Sequence, residues 1–175
     1  MKASELRACV RDIADFPKPG VSFRDITPLL SNTDAFRSTV DLIADHFEGQ
    51  RIDRVLGVEA RGFIIAAPVA YKFGAAFVPV RKAGKLPWEI ERVEYELEYG
   101  TDLLEIHRDA VDPGDSVVIV DDVLATGGTA AATARLVEKL GGTVLGLAFV
   151  IELEFLEGRQ KLEDHDVLSL ITYEK

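Results

Sequence analysis

The chain has 175 residues and is 47% hydrophobic, enough for one domain with its own core and too apolar for a disordered segment. Its formal net charge is −10 and it has no block of basic residues, which counts against nucleic acid and against an anionic membrane surface as partners. Cys9 is the only cysteine, which leaves no disulfide framework or cysteine zinc cluster. Met1–Arg7 lacks an apolar signal core, and the apolar stretch Phe63 to Tyr71 is too short to span a bilayer, so a cytoplasmic location is expected.

In chain order, residues 3–14 read as a short helix. Residues 16–30 read as irregular, punctuated by Pro17, Pro19, Gly20 and Pro28. Asn32 or Thr33 can cap a helix that carries Phe36, Val40, Ile43 and Phe47 on one face. Arg54 to Val58 reads as a buried strand, 62–73 as a helix and 75–80 as the next strand. Residues 91–108 alternate instead: Val93, Tyr95, Leu97 and Tyr99 share one face, while Glu94, Glu96 and Glu98 share the other. That predicts a half-exposed antiparallel hairpin turning near Gly100. A strand over 116–120, a helix over 128–140 and strands over 143–151 and 167–172 complete a single domain, 1–175. Apolar strands alternating with helices imply a mostly parallel sheet with both faces covered. Ligands bind such sheets beyond the carboxyl ends of the strands, so the segments after Val58, Val80 and Val120 should share one cleft.

The run Val117-Val118-Ile119-Val120-Asp121-Asp122-Val123-Leu124-Ala125-Thr126-Gly127-Gly128-Thr129 is the most pointed string in the chain. A buried strand ends in two carboxylates, then a loop of small residues leads into a helix. Glycines admit close backbone approach, and amides at a helix N-terminus bind phosphate. Asp121 and Asp122 would repel that phosphate, so they should face vicinal hydroxyls, which carboxylates accept from in pairs. A ribose 5-phosphate carries both groups. The plain alternative is a strand–turn–helix corner with solvated aspartates.

Two other strand ends carry charge. After Val58 comes Glu59-Ala60-Arg61-Gly62-Phe63, either a local ion pair at a helix start or an arginine placed over the cleft for an anion or a base edge. After Val80 comes Arg81-Lys82-Ala83-Gly84-Lys85-Leu86-Pro87, a cluster of cations in an acidic chain. It is either a solvated turn or a pyrophosphate pocket, where Arg81, Lys82 and Lys85 would hold the charge that grows on a leaving group. Glu98 stands beside the hairpin turn. With Glu94 and Glu96 it can be simply a solvated face, or the hairpin can close over the cleft and exclude water.

The 117–129 string resembles the phosphoribosyl-pyrophosphate signature of the type I phosphoribosyltransferases. Phe16-Pro17-Lys18-Pro19-Gly20-Val21-Ser22-Phe23-Arg24-Asp25-Ile26-Thr27-Pro28-Leu29-Leu30 resembles the base-binding hood of members that use adenine. The 59–63 and 81–87 strings and Leu97-Glu98-Tyr99-Gly100-Thr101 match in order and spacing, and only Glu152 to Asp166 aligns poorly. The resemblance implies an α/β type I phosphoribosyltransferase-like fold. Its parts are a central mostly parallel sheet flanked by helices, an N-terminal hood over 1–30 and an antiparallel flexible hairpin lid over 86–107.

It further implies transfer of a 5-phosphoribosyl group from phosphoribosyl pyrophosphate to N9 of adenine, giving AMP and pyrophosphate. Asp121 and Asp122 would hold the ribose hydroxyls, Ala125, Thr126, Gly127, Gly128 and Thr129 the 5-phosphate, and Arg81, Lys82 and Lys85 the pyrophosphate. Phe23 and Val123 would sandwich adenine, Val123 standing where a larger leucine is common, while backbone groups at Ser22 and Arg24 read the base edge. Glu98, Tyr99 and Arg61 are the expected catalytic residues. Mg2+ is the expected cofactor, bound mostly through substrate oxygens and water, with Asp121 and Asp122 as candidate direct contacts. A homodimer is implied by the resemblance alone. Residue chemistry by itself does not separate an amino from an oxo group at C6, so a transferase for xanthine or hypoxanthine stays open. So does a non-catalytic nucleotide-sensing regulator on the same fold, although such regulators append a basic DNA-binding domain.

Overall fold

The computed structural model describes residues 1–96 and 100–175. Its frame is a sheet of seven strands among these residues. They are β3 (Arg54–Val58), β4 (Ala76–Lys82), β5 (Ile90–Glu96), β6 (Thr101–His107), β7 (Ser116–Leu124), β8 (Thr143–Leu153) and β9 (Asp166–Tyr173). The spatial order is β5-β6-β4-β3-β7-β8-β9. The five strands from β4 to β9 run parallel, while β6 and β5 extend the sheet antiparallel.

Alternation within each strand builds the two apolar layers. Val118 and Val120 of β7 pack with Val55, Ala148 and Val150 beneath two helices, α3 (Thr33–His46) and α4 (Arg61–Phe73). Val117 and Ile119 face the other way, with Leu56, Leu147 and Phe149, beneath α5 (Gly128–Lys139), which adds Leu136 and Val137. Val40, Ile43 and Phe47 of the expected amphipathic face are buried. Among the described residues no helix is long and apolar enough to cross a membrane.

Three local expectations change. Residues 3–14 are not one helix: α1 (Ala3–Leu6) passes through a 3₁₀ turn, Arg7–Cys9, into β1 (Arg11–Ile13). The supposedly irregular stretch contains β2 (Phe23–Asp25), which pairs antiparallel with β1, and α2 (Thr27–Ser31), with Pro28 in its first turn. Pro17, Pro19 and Gly20 return the chain, and pairing with β2 outweighs the helical pattern of residues 10–14. Finally, β7 runs four residues past Val120, because Asp121, Val123 and Leu124 stay in register with Phe149, Ile151 and Glu152 of β8.

Of the two candidate caps for α3, Asn32 is the one in place. Its Oδ1 accepts the amides of Asp34 at 3.1 Å and Ala35 at 3.0 Å. Asn32→Ala leaves both donors without this acceptor and should lower unfolding free energy by about 1 kcal/mol. Urea denaturation at neutral pH measures this, and an unchanged midpoint would mean that water caps the helix equally well.

Candidate active site

The adjacency of β4, β3 and β7 brings three charged strand ends together. A cavity of about 270 Å³ is lined by Val58, Glu59, Ala60, Arg61, Lys82, Tyr95, Leu104, Asp121, Asp122 and Thr129. The acidic pair lies on the strand itself, and both side chains line this cavity. Asp122 is buried and accepts a hydrogen bond from Arg61 Nε. Asp121 Oδ1 accepts the Asp122 amide at 2.8 Å. The same oxygen lies against the start of α4, where a Cβ on Gly62 would stand 2.6 Å from it, so any larger residue there would have to displace the Asp121 carboxylate. Desolvation, and then the neighbouring Asp122 charge, push the Asp121 carboxyl well above its usual range.

Arg61 does not pair with Glu59. Glu59 turns to the cations of β4 and the following turn, accepting from Lys85 Nζ, from Arg81 Nε at 3.2 Å and from the Lys82 amide at 2.9 Å. Desolvation opposes the Glu59 charge, but the hydrogen bonds from Lys85 and the Lys82 amide outweigh it and hold the carboxyl below its usual range. Arg81 and Lys82 are strand residues, in register with Glu105 and Leu104 of β6. Lys82 Nζ reaches Asp102 Oδ2 at 3.0 Å. The buried Glu105 takes the Gly84 amide at 3.0 Å and so fixes the turn that carries Lys85.

Beside this cavity a smaller one, of about 80 Å³, is lined by Asp121, Val123 and every residue of the 124–130 segment. Gly127 is left-handed at φ 75° and precedes the first turn of α5. The loop amides therefore approach the cavity at the positive end of a helix.

The base-hood candidates sit on and beside β2. Ser22 is exposed and Phe23 half-buried. The Arg61 guanidinium lies 5.6 Å from the Phe23 ring centre, and Phe16 packs edge-on to that ring at 5.3 Å. The Arg24 side chain turns away from the cleft. It pairs with Asp12 at 2.6 Å, lies over Tyr173 at 4.2 Å and donates to the Lys175 carbonyl at 3.2 Å. Val123 is half-buried against the helical layer and lines the smaller cavity.

Arg61, Lys82, Asp121, Asp122 and Thr129 thus share one cavity, with Ala125–Gly128 beside it and Arg81 and Lys85 joined to it through Glu59. Glu98 and Tyr99 lie outside the described residues. Sequence reasoning missed Tyr95, Asp102 and Glu105. The first two stand directly opposite each other across β5 and β6, with the Tyr95 hydroxyl 3.4 Å from Asp102, so pairing the strands outward from Gly100 would have found them.

Residues 27–173 match the family model described as a phosphoribosyl transferase domain. The chain belongs to the phosphoribosyltransferase family. It is 56% identical over 171 residues to an adenine phosphoribosyltransferase of Solibacter usitatus, covering 98% of this chain and 99% of that one. The crystal structure of the adenine phosphoribosyltransferase from Thermoanaerobacter pseudethanolicus superposes with a TM-score of 0.95 at 53% identity, covering 98% and 100% of the two chains. The Saccharomyces cerevisiae enzyme, in complex with an imino-altritol bisphosphate and adenine, superposes at 0.91 with 43% identity, covering 96% and 97%. The phosphoribosyltransferase fold expected from the sequence, a mostly parallel sheet with flanking helices, is the fold observed.

In this phosphoribosyltransferase the raised Asp121 carboxyl has a consequence for stability. A carboxyl raised by folding binds its proton more tightly in the native state. It therefore costs nothing below the ordinary value of 3.8 and weakens the fold progressively as pH rises toward its folded value. Asp121→Asn keeps an oxygen for the Asp122 amide and removes the charge. The ligand-free variant should melt above the wild type at pH 7, with the gap closing as pH falls toward 4. Melting curves across that range check it, and a variant less stable at every pH would show that the Asp121 charge supports the fold.

Proposed function

We infer that this phosphoribosyltransferase moves the 5-phosphoribosyl group of phosphoribosyl pyrophosphate onto N9 of adenine, releasing AMP and pyrophosphate. The observation that carries the reading is identity of more than half over nearly the full chain with an adenine phosphoribosyltransferase. The cleft supports it, because the acidic pair, Arg61 and Lys82 line one cavity and the start of α5 lines the adjoining one.

The roles follow from that arrangement. Amides and hydroxyls of Ala125–Thr129 take the 5-phosphate, and Asp121 and Asp122 accept the ribose hydroxyls. Arg81, Lys82 and Lys85 exchange Glu59 and Asp102 for the pyrophosphate, whose charge grows as its bond to C1 breaks. N9 forms the new bond to C1, and the ring gives up one proton. Glu98, which with Tyr99 lies outside the described residues, is our candidate to accept or share it. Phe23 and Val123 bracket the base, and Arg61 sits between the Phe23 ring and the acidic pair. Because the Arg24 side chain is anchored to β9, its backbone is left to read the base edge beside Ser22.

The donor set suits Mg2+. Two adjacent carboxylates offer oxygen, and among the described residues no cluster of three or more metal-binding side chains encloses an ion, so substrate oxygens and water would complete the shell. Bound there, the ion would neutralise pyrophosphate charge, while the protein's own part is positioning and exclusion of water. We also propose a homodimer. Ile64 and Tyr71, two turns apart on α4, are 45% and 90% exposed, and Trp88 is 70% exposed, an apolar display suited to a second copy. A cytoplasmic setting suits the free thiol of Cys9.

The test is to incubate the protein with phosphoribosyl pyrophosphate, Mg2+ and each of adenine, hypoxanthine, guanine and xanthine. Adenine should be strongly preferred, and comparable turnover of a 6-oxopurine would transfer the substrate assignment to another purine. For the diol role, Asp122→Asn should weaken donor use about ten- to a hundredfold, the worth of one charge-assisted hydrogen bond. Steady-state kinetics with varied phosphoribosyl pyrophosphate measure this, and wild-type constants would remove Asp122 from the ribose site.

A further inference from the structure

Residues 154–165 connect β8 to β9 through two 3₁₀ turns, Glu154–Leu156 and Gly158–Leu162, joined by Glu157 in the left-handed region at φ 54°. The second turn is pressed against the loop beside the acidic pair. A Cβ on Gly127 would stand 2.2 Å from the Gly158 carbonyl oxygen, and a Cβ on Gly158 would stand 2.1 Å from the Ala125 oxygen. Two backbones therefore touch with no side chain between them, and neither can shift without the other.

What holds the second turn is charged. Arg159 Nε donates to Glu152 Oε1 at 2.9 Å, and Nη2 reaches the other oxygen of the same carboxylate. Nη1 donates to the Val167 carbonyl at 2.8 Å. Glu152 is buried and stands in register with Leu124, the residue immediately before the loop. Leu162, also buried, pins the far end of the turn in the core beneath α5. The fork geometry of the guanidinium matters here, since a lysine cannot make this paired contact and the carbonyl contact together.

We propose that Gly158 and Arg159, oriented by Glu152, are positioning residues for the 5-phosphate: they set the curvature of Ala125–Thr129 from behind and so fix where its amides point. None of the three needs to touch substrate. The inference rests on the reading of that loop as the 5-phosphate site, and it goes further by assigning the loop's shape to a segment distant in sequence.

The test uses the full chain carrying Gly158→Ala, Arg159→Lys, or Gln160→Ala as an exposed neighbour. Ribose 5-phosphate binding is measured by calorimetry, with KM for each substrate and kcat alongside. Gly158→Ala should raise the ribose 5-phosphate Kd and the KM for phosphoribosyl pyrophosphate by roughly tenfold or more, since sub-ångström misplacement of a binding group is costly. Its KM for adenine should stay near wild type. Arg159→Lys should move the same two constants in the same direction by less, and Gln160→Ala should move neither.

If Gly158→Ala does not fold, Arg159→Lys decides by the same split. Wild-type ribose 5-phosphate binding in a folded Gly158→Ala or Arg159→Lys variant overturns the proposal. So does a uniform loss in both substrates and kcat, which would mean general loosening. Thr126→Ala and Thr129→Ala separate the two readings. If they weaken ribose 5-phosphate binding and Gly158→Ala does not, only the buttress falls. If they too bind like wild type, the phosphate reading falls and takes the buttress with it.

Discussion

The Arg61–Asp122 ion pair joins two strand ends that the sheet order makes neighbours. β3 lies between β4 and β7, so whatever follows Val58 must pack between the cations of β4 and the carboxylates of β7. Glu59 and Arg61 fill that place and divide the work: Glu59 faces Arg81 and Lys85, and Arg61 faces Asp122. Swapping their order would set like charge against like on both sides. The buried Asp122 would be left as an uncompensated charge if Arg61 were lost, which is the expensive way to break an ion pair, whereas Glu59 divides its charge among Arg81, Lys85 and the Lys82 amide. The shape of the cleft therefore follows from charge balance across three adjacent strands.

Much of this was readable from the chain, because the signals were periodic and local. Strands β3 and β4, helices α4 and α5 and the β5–β6 hairpin all follow from runs whose period matches the element observed. The strand-end rule placed Arg61, Lys82 and Asp121 in one cleft before any coordinates. The run from 3 to 14 failed because its apolar spacing fits a helix equally well, and only the distant partner Phe23–Asp25 makes Arg11–Ile13 a strand. The end of β7 was misjudged for a similar reason. Its apolar run stops at Val120, but pairing of Asp121 with Phe149 and of Val123 with Ile151 carries the strand on to Leu124. Both neighbouring aspartates line the same cavity, and Asp122 is the one that pairs with Arg61.

The stretch from Glu152 to Asp166 resisted sequence reading for a different physical reason. Its contacts are backbone against backbone at Gly158 and a guanidinium reaching over a carboxylate and two positions of β9. Neither leaves a periodic trace. The same holds for Arg24, whose side chain was invisible as an anchor until Tyr173, nearly the whole chain away, was seen beneath it. Arg7 lies over the same ring at 4.3 Å and donates to the Thr172 carbonyl at 2.8 Å, so the last strand fastens the hood through two cations. In both places a candidate binding segment is held by residues that carry no motif.

These arrangements explain how a chain of net charge −10 can receive a polyanion. Without ligand, Arg81 and Lys85 share the Glu59 carboxylate and Lys82 holds Asp102, so two carboxylates offset most of the charge of the three cations. In the proposed reaction an arriving pyrophosphate would not add charge to an empty pocket; it would displace Glu59 and Asp102 as partners of cations already in place. That exchange favours a ligand with more negative charge per oxygen pair than a carboxylate offers, and it disfavours neutral ligands, which would leave the cations with their existing partners. Asp121 stands outside the exchange. Its main polar contact is a backbone amide, and its raised carboxyl is a standing cost that a hydroxyl donor would relieve. On the proposed roles, the cleft would select through two complementary features, cations that can trade one anion for a stronger one and a carboxyl that a hydroxyl donor would relieve. A sugar carrying both a diol and a pyrophosphate answers the two together.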